Sequence, residues 1–592
     1  MPKIPMQVAV AATVITLLFA NGLLIAPYTL NIESIYGDEG VYARHIECFL
    51  QGQSPYIGFN SPYGPWEFII MKALLGRDSF TLLDLRLAAV CLNFVSMSLL
   101  FAVGIQLFGK RSPYALVPPV LQGVFGPQLA GNVAYVDFTC LPFLCAWIFG
   151  LNGALNGPDA RCRNMAALTG FCTAVLCFTK PQYGLGCVTV CWSMALKSTP
   201  RPLRFMPLLA VLFILSGSHR HPALLLVLGG AWVWFHSQEV KSEGKLGPVE
   251  FATGFFLGLL LLIGIASLEG MFLNVLFYPM SIAKSASGVR GLWSSGVQLI
   301  PRDVQSGMIL ALLFFSAVKW QGPVSVAIQR SAQIMGFLLF FFSFGSPPLM
   351  LMIRGVQNGE LSEVVLPLLC IALVGSLVAC VFELVRTPLH SEVDFVLRSA
   401  AIICLAASYD LAYIHARLLA VISLPLLFHL RYARPVLRLT YIASGLATVG
   451  LGLVIANLPY YLDLRQTIAM RRLIPTDYGA LDAVRGRIYL KRSDFQKYRD
   501  LIEHTNGEPS AKREVIDVPG LAFLLGNYTQ FQTDFPGYNF ALGLYPDPRN
   551  SSKEILLPDY LRYHEYVTKA QRYRPLEARG GILILGPRRS GD

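Results

Sequence analysis

From Met6 to Tyr460 the chain alternates long apolar runs with short polar stretches, and after that its character changes. The first run, about Met6 to Pro27, has about 20 residues, the length an α-helix needs to cross a bilayer. It follows a single Lys3 and has only a weak small-residue cleavage pattern, so it reads as an uncleaved span rather than a signal peptide. A polar stretch, Tyr28 to Arg77, precedes a second run at about Leu82 to Phe108. That run ends at Lys110 and Arg111, the fourth near Arg161 and Arg163, and the sixth near Lys197, Arg201 and Arg204. These clusters fall on one side. Lys241 with Lys245, Lys319 with Arg330, Arg386 with Arg398, and Arg431 with Arg434 and Arg438 join them if short spans lie between. An excess of Lys and Arg marks cytoplasmic loops. The pattern predicts a polytopic α-helical membrane protein with about 13 to 15 transmembrane helices, several of them short or broken by Pro and Gly.

Two domains follow from this layout. Residues 1–460 form the transmembrane unit, with a first external loop at 28–80 and a large one at 269–305. Residues 461–592 are richer in charge and punctuated by Gly and Pro. Strand-like runs there, Ala522 to Leu525 and Gly581 to Leu585, predict a small C-terminal α/β domain. An odd number of spans puts it on the extracytoplasmic face. No tandem repeat is evident.

Composition agrees with the pattern. Of 592 residues, 54% are hydrophobic and 14% charged, with mean hydropathy +0.52, which excludes a single soluble globule. The net charge of +12 sits in short clusters between apolar runs, so it describes loops facing the cytoplasm rather than a nucleic-acid surface. The 12 cysteines all precede the tail and fall mostly in apolar runs, with no disulfide framework or paired CxxC metal site. No nucleotide-binding glycine fingerprint is written in a suitable context.

Ionisable groups at the membrane edge are costly unless paired or hydrated, so they come first as candidate chemistry. Asp38 and Glu39 stand between Gly37 and Gly40, shortly after the first span. The following stretch, Val41 to Leu50, has a helical apolar stripe of Tyr42, His45, Ile46 and Phe49. This predicts a short amphipathic helix on the membrane surface with the acid pair at its N-terminus, where the pair serves either chemistry or simple capping. Asp137 falls at the outer end of the third span, as a functional carboxylate or as the cap of the fourth. Lys180 falls at the outer end of the fifth, against the charge trend; it either meets a lipid phosphate or snorkels. Arg417, with His415 beside it, sits at a later outer turn and could clamp a phosphate bidentately. Lys284 and Arg290 in the large external loop are further phosphate candidates, or simply solvated charges.

The order of motifs around the acid pair adds a resemblance. Asp38, Glu39 and Tyr42, then Gly52, Pro55 and Tyr56, then Gly64 and Pro65, with Arg86 opening the second span, resemble the first external loop of the GT-C superfamily of membrane glycosyltransferases. The nearest patterns are bacterial protein O-mannosyltransferase, aminoarabinose transferase and lipopolysaccharide-core galacturonosyl transferase-like enzymes. The motif similarity covers about the first 185 residues, and the rest agrees in layout only. The resemblance implies a hexosyl- or pentosyltransferase in the bacterial cytoplasmic (inner) membrane, acting on the extracytoplasmic face. It would move sugar from a polyprenyl-phosphate donor to a cell-envelope glycan or lipid acceptor, such as a polysaccharide or lipopolysaccharide, with inversion.

In residue terms Asp38 would be the base, and Glu39 would assist it or orient the helix. Asp137, Tyr42 and Tyr56 would serve the acceptor or a metal, and Arg86, Lys180, Lys284, Arg290 and Arg417 would hold the lipid phosphate. A divalent cation, Mg or Mn, between Asp38 and Asp137 stays open, because relatives differ on metal need. The expected partners are the lipid-linked sugar, the acceptor and membrane lipids, with no nucleic acid, and the chain is expected to be a monomer. Two rivals remain: a transporter or flippase for lipid-linked sugars, and a catalytically inactive glycan-binding scaffold. Transporters usually place their sites at the midplane of duplicated halves, whereas these residues gather at one face.

Overall fold

The computed structural model describes residues 6–25, most of 38–123, most of 136–191, 246–266 with one gap, short strand segments between 478 and 587, and isolated positions at 331, 396 and 499. The α-helices among the described residues include α1 Met6–Ile25, α2 Asp38–Leu50, α3 Pro65–Leu75, α4 Leu82–Phe108, α5 Val136–Asn156, α6 Asp159–Cys177 and α7 Pro248–Ile263. The apolar runs expected for the first two spans coincide with α1 and α4. Leu82–Phe108 and Phe138–Asn156 are long and apolar enough to cross a membrane.

Local sequence fixes the helix ends. Thr81 and Asp84 form a capping box: the Thr81 hydroxyl accepts from the Asp84 N–H (3.2 Å), and the Asp84 carboxylate accepts from the Thr81 N–H (2.9 Å). Pro65 occupies the first turn of α3, where its missing N–H costs nothing, and Gly76 ends that helix with φ +61°.

The helices run back and forth across one bundle. Phe19 of α1 meets Phe94 of α4 at 4.7 Å between centroids, and Gly22 faces Val90, so these two are antiparallel. Asn152 of α5 donates to Gln106 of α4 (3.2 Å) near the C-terminal ends of both, so they run the same way. Small residues set the α6–α7 interface. A Cβ on Gly170 would strike the Phe251 carbonyl, one on Gly254 the Ala167 carbonyl, and one on Gly258 the Ala174 methyl. Close backbone approach of this kind is how membrane helices gain packing without a hydrophobic drive between them. Buried polar pairs add cross-links, Gln122 to Asn93 (2.7 Å) and Trp147 to Thr173 (3.1 Å).

One end of the bundle holds Lys110, the start of α6 with Arg161 and Arg163, and Glu250 of α7, which lies 3.9 Å from Arg163. The opposite end holds α2, α3, the starts of α4 and α5, and the chain after α6. Arg163 is largely exposed, so its ion pair contributes little. None of the described cysteines is in a disulfide.

In the tail, β1 Tyr478–Ala483 and β2 Gly486–Lys491 form an antiparallel hairpin. Four further strands, β3 Arg513–Val515, β4 Glu554–Pro558, β5 Tyr573–Arg579 and β6 Ile582–Pro587, form a mixed sheet in the order β3-β4-β6-β5. The strand read at Gly581 to Leu585 coincides with β6, and the run Ala522 to Leu525 lies outside the described residues.

Candidate functional site

The helix read at Val41 to Leu50 is present, and it begins at Asp38, so the acid pair does open it. Its setting corrects the expectation of a helix lying on the membrane surface. From Tyr42 to Cys48 every residue is buried, including Arg44, His45 and Glu47. A surface helix would leave its charged side in water. Here α2 is wedged into the end of the bundle, with His45 stacked on Phe59 at 5.6 Å and Phe49 and Phe59 both against Phe68 of α3.

Burial of His45 has a consequence for stability. Desolvation, with the neighbouring Arg44 charge second, lowers its pKa from 6.5 to about 3. The unfolded chain takes up a proton below pH 6.5 while the folded one does not until about pH 3, so stability falls with pH across that window. At pH 5 the loss relative to neutral is about 2 kcal/mol. We expect the denaturation midpoint of the purified protein to drop between pH 7.5 and 5, and His45→Gln, which does not titrate, to lose most of that drop. An equal drop in both proteins would remove His45 as the cause.

The segment after α2 folds as a compact turn. Gly52 has φ +85°, and Tyr56 has φ +66°, a left-handed conformation that costs a non-glycine residue about 1–2 kcal/mol. Two bonds hold Tyr56 there: its N–H donates to the Phe59 carbonyl (2.7 Å) and its hydroxyl to the Tyr63 carbonyl (2.6 Å). Burial raises the Tyr56 hydroxyl pKa well above its usual value, so it stays a donor. Tyr56 therefore acts in this structure as the lock of the loop.

Gly64 carries the next contact. Its N–H donates to the Thr179 carbonyl (3.0 Å), and the two backbones touch so closely that a Cβ at 64 would overlap the Phe178 carbonyl. This joins two motifs far apart in sequence, Tyr63-Gly64-Pro65 and Phe178-Thr179-Lys180. Trp66 extends the join, with its indole N–H donating to the Gly258 carbonyl of α7 (3.3 Å) and its ring edge-on to Phe171.

Lys180 does not reach outward as a snorkelling side chain would. It is 7% exposed, with Nζ 5.7 Å from the centre of the Tyr183 ring. Arg86, in the second turn of α4 just beyond the capping box, is 1% exposed. Two cations are thus buried at the end of the bundle where α2 docks.

Three side chains connect that end into one chain of hydrogen bonds. The Thr139 hydroxyl donates to Glu67 Oε1 (2.8 Å), which uses its only proton. Its 3.3 Å contact with the Tyr42 hydroxyl is then one in which tyrosine donates. All three residues are buried, Glu67 at 0% exposure. Tyr42 also lies edge-on to Tyr63, with centroids 6.0 Å apart.

Of the residues singled out in the sequence, the structure brings Tyr42, Tyr56, Arg86 and Lys180 to one end of the bundle. Asp38 and Glu39 occupy the first turn of α2, and Asp137 is the second residue of α5, so it opens a helix rather than sitting in a loop. Lys284, Arg290, His415, Arg417 and the whole of the large external loop lie outside the described residues. Glu67 and Thr139 belong to no sequence motif. Glu67 did leave a signal, a carboxylate two residues into the apolar helix Pro65–Leu75. Thr139 left none. Among the described residues no group of three or more His, Cys, Asp and Glu side chains could hold a metal ion. The side chains of Asp38 and Asp137 are not in that set.

No protein-family model and no curated protein matches the chain. Among solved structures the chain is similar to ArnT from Cupriavidus metallidurans bound to undecaprenyl phosphate, with 14% identity and TM-score 0.34, spanning 98% of this chain and 97% of that one. It is also similar to the apo state of the same protein, with 14% identity and TM-score 0.33, spanning 97% and 98%. The Archaeoglobus fulgidus oligosaccharyltransferase in its apo form follows, with 14% identity and TM-score 0.32, spanning 76% of this chain and 54% of that one. At these identities and scores the likeness is one of outline. The functional reading rests on the residues.

Proposed function

We propose that this chain is an inverting glycosyltransferase of the GT-C type, using a sugar carried on a polyprenyl phosphate and glycosylating a cell-envelope glycan or lipid. The observation that carries the reading is the burial of α2, the helix that opens at Asp38 and Glu39, against a bundle end that also buries Arg86 and Lys180. A solvated linker with a capping acid pair has no need of such a setting. In the proposed reaction an acceptor hydroxyl oxygen attacks the anomeric carbon and the bond from that carbon to the phosphate oxygen breaks. Asp38 takes the hydroxyl proton. The leaving lipid phosphate gains negative charge, which Arg86 and Lys180 stabilise, joined on this reading by Lys284, Arg290 and Arg417. Attack opposite the leaving group inverts the centre through an oxocarbenium-like state. Glu39 assists the base or orients the helix, and Asp137 lines the acceptor side with the rings of Tyr42 and Tyr56, whose hydroxyls are engaged within the fold.

The same reading sets the protein in a bacterial cytoplasmic membrane. The end with Lys110, Arg161 and Arg163 faces the cytoplasm, and the α2 end and the tail lie outside. Membranes containing the protein, given radiolabelled polyprenyl-phosphate sugars and an envelope lipid extract, are expected to move label into acceptor where control membranes do not. If the donor instead crosses the vesicle bilayer without being consumed, the transporter reading replaces this one.

A further inference from the structure

The bonded chain from Tyr42 through Thr139 to Glu67 joins three elements that the sequence keeps apart. Tyr42 is in α2, one helical turn after Asp38. Thr139 is in the first turn of α5, two residues after Asp137. Glu67 is in the first turn of α3, directly after the Gly64 contact with the end of α6. The chain is directional: Glu67 accepts, so Thr139 must donate to it and is left as acceptor for Tyr42. A carboxylate at the end of a buried run of hydroxyls polarises every bond in it, and in a water-poor setting such a run holds its members in one arrangement. The docking of α3 thereby fixes the position of the turn that bears the acid pair.

We propose that Glu67 and Thr139 are positioning residues: acting through the Tyr42 hydroxyl, they hold the N-terminal turn of α2, with Asp38 and Glu39, against the N-terminal turn of α5, with Asp137. This rests on the glycosyltransferase reading for its catalytic meaning, while the mechanical coupling stands independently of it. Neither residue touches substrate in the proposal. Thr139 is the hinge of the claim, because it alone bonds to both of the others.

The test uses the full-length protein and two readouts. In transfer assays, Thr139→Val keeps the side-chain shape but removes the hydroxyl. It is expected to lower kcat about tenfold, the equivalent of roughly 1.4 kcal/mol, with KM for the lipid donor changed less than about threefold. Thr139→Ser restores the hydroxyl and recovers to within about threefold of wild type, which a packing role for the methyl group would not give. Tyr42→Phe is expected to cost a similar factor alone but less than about twofold once Thr139→Val is present, because the link is already cut. The second readout is amide hydrogen exchange of the 38–50 segment, expected to quicken at least about tenfold in Thr139→Val and to return to the wild-type rate in Thr139→Ser. Unchanged exchange and kcat in Thr139→Val, no recovery with Ser, or multiplying effects of Tyr42→Phe and Thr139→Val would each overturn the proposal. If the wild-type protein transfers no sugar, the glycosyltransferase reading fails and exchange alone decides the coupling: quickened exchange supports it and unchanged exchange overturns it.

Discussion

Replacing Asp38 by Asn is expected to lower turnover at least about a hundredfold while leaving KM for the lipid donor within a few-fold. The amide has the size and shape of the carboxylate and can still accept a hydrogen bond, so helix α2 loses neither packing nor its opening residue. What it cannot do is take a proton at neutral pH. A sugar hydroxyl is a poor nucleophile until its proton has somewhere to go, and on the proposed reading Asp38 is that acceptor, at the first position of α2. Loss of a general base typically costs between about a hundredfold and ten-thousandfold. Turnover in Asp38→Asn within about tenfold of wild type would reduce Asp38 to a cap and move the search for the base to Glu39 or Asp137. Elution of the variant at the wild-type position on size exclusion guards against misreading an unfolded protein.

How far the sequence carried this picture depends on whether a feature is local. Helix α4 begins and ends where its apolar run does because length, hydropathy and the Thr81–Asp84 box are all local. The start of α2 at the acid pair was legible for the same reason. Its burial was not, since an apolar stripe of Tyr42, His45, Ile46 and Phe49 predicts one buried face. Phe59 and Phe68 cover that stripe through His45 and Phe49, whereas the burial of Ala43, Arg44 and Glu47 on the other side depends on the rest of the fold and leaves no pattern within α2. Lys180 could be flagged as a basic group on the wrong side, yet its neighbour Thr179 meets Gly64 across 114 intervening residues that no pattern links. Glu67 and Thr139 are harder still. Thr139 is an ordinary helix residue until the fold places Tyr42 on one side of its hydroxyl and Glu67 on the other.

Gly64→Ala is expected to destabilise the protein by about 3 kcal/mol or more, or to leave it folded with the first loop displaced and transfer abolished. The backbone at this position, φ −77° and ψ 159°, is open to any residue, so conformational freedom is not what glycine supplies here. Space is. The added methyl would lie on the Phe178 carbonyl with the Thr179 nitrogen 2.7 Å away, and neither is the flexible end of a side chain. To make room, α3 must move away from α6, which breaks the Gly64–Thr179 bond and pulls Trp66 from the Gly258 carbonyl. Glu67 travels with them and draws the Thr139 and Tyr42 bonds out of line, so the loss reaches α2 as well. Gly76→Ala provides the contrast. It has nothing within 4 Å but a φ of +61°, and should cost only about 1 kcal/mol through backbone strain. Thermal denaturation of the two variants beside wild type separates the cases. Equal melting of Gly64→Ala and wild type, with transfer retained, would mean that the first loop does not rest on the end of α6, and the route from Gly64 to the acid pair would fall with it.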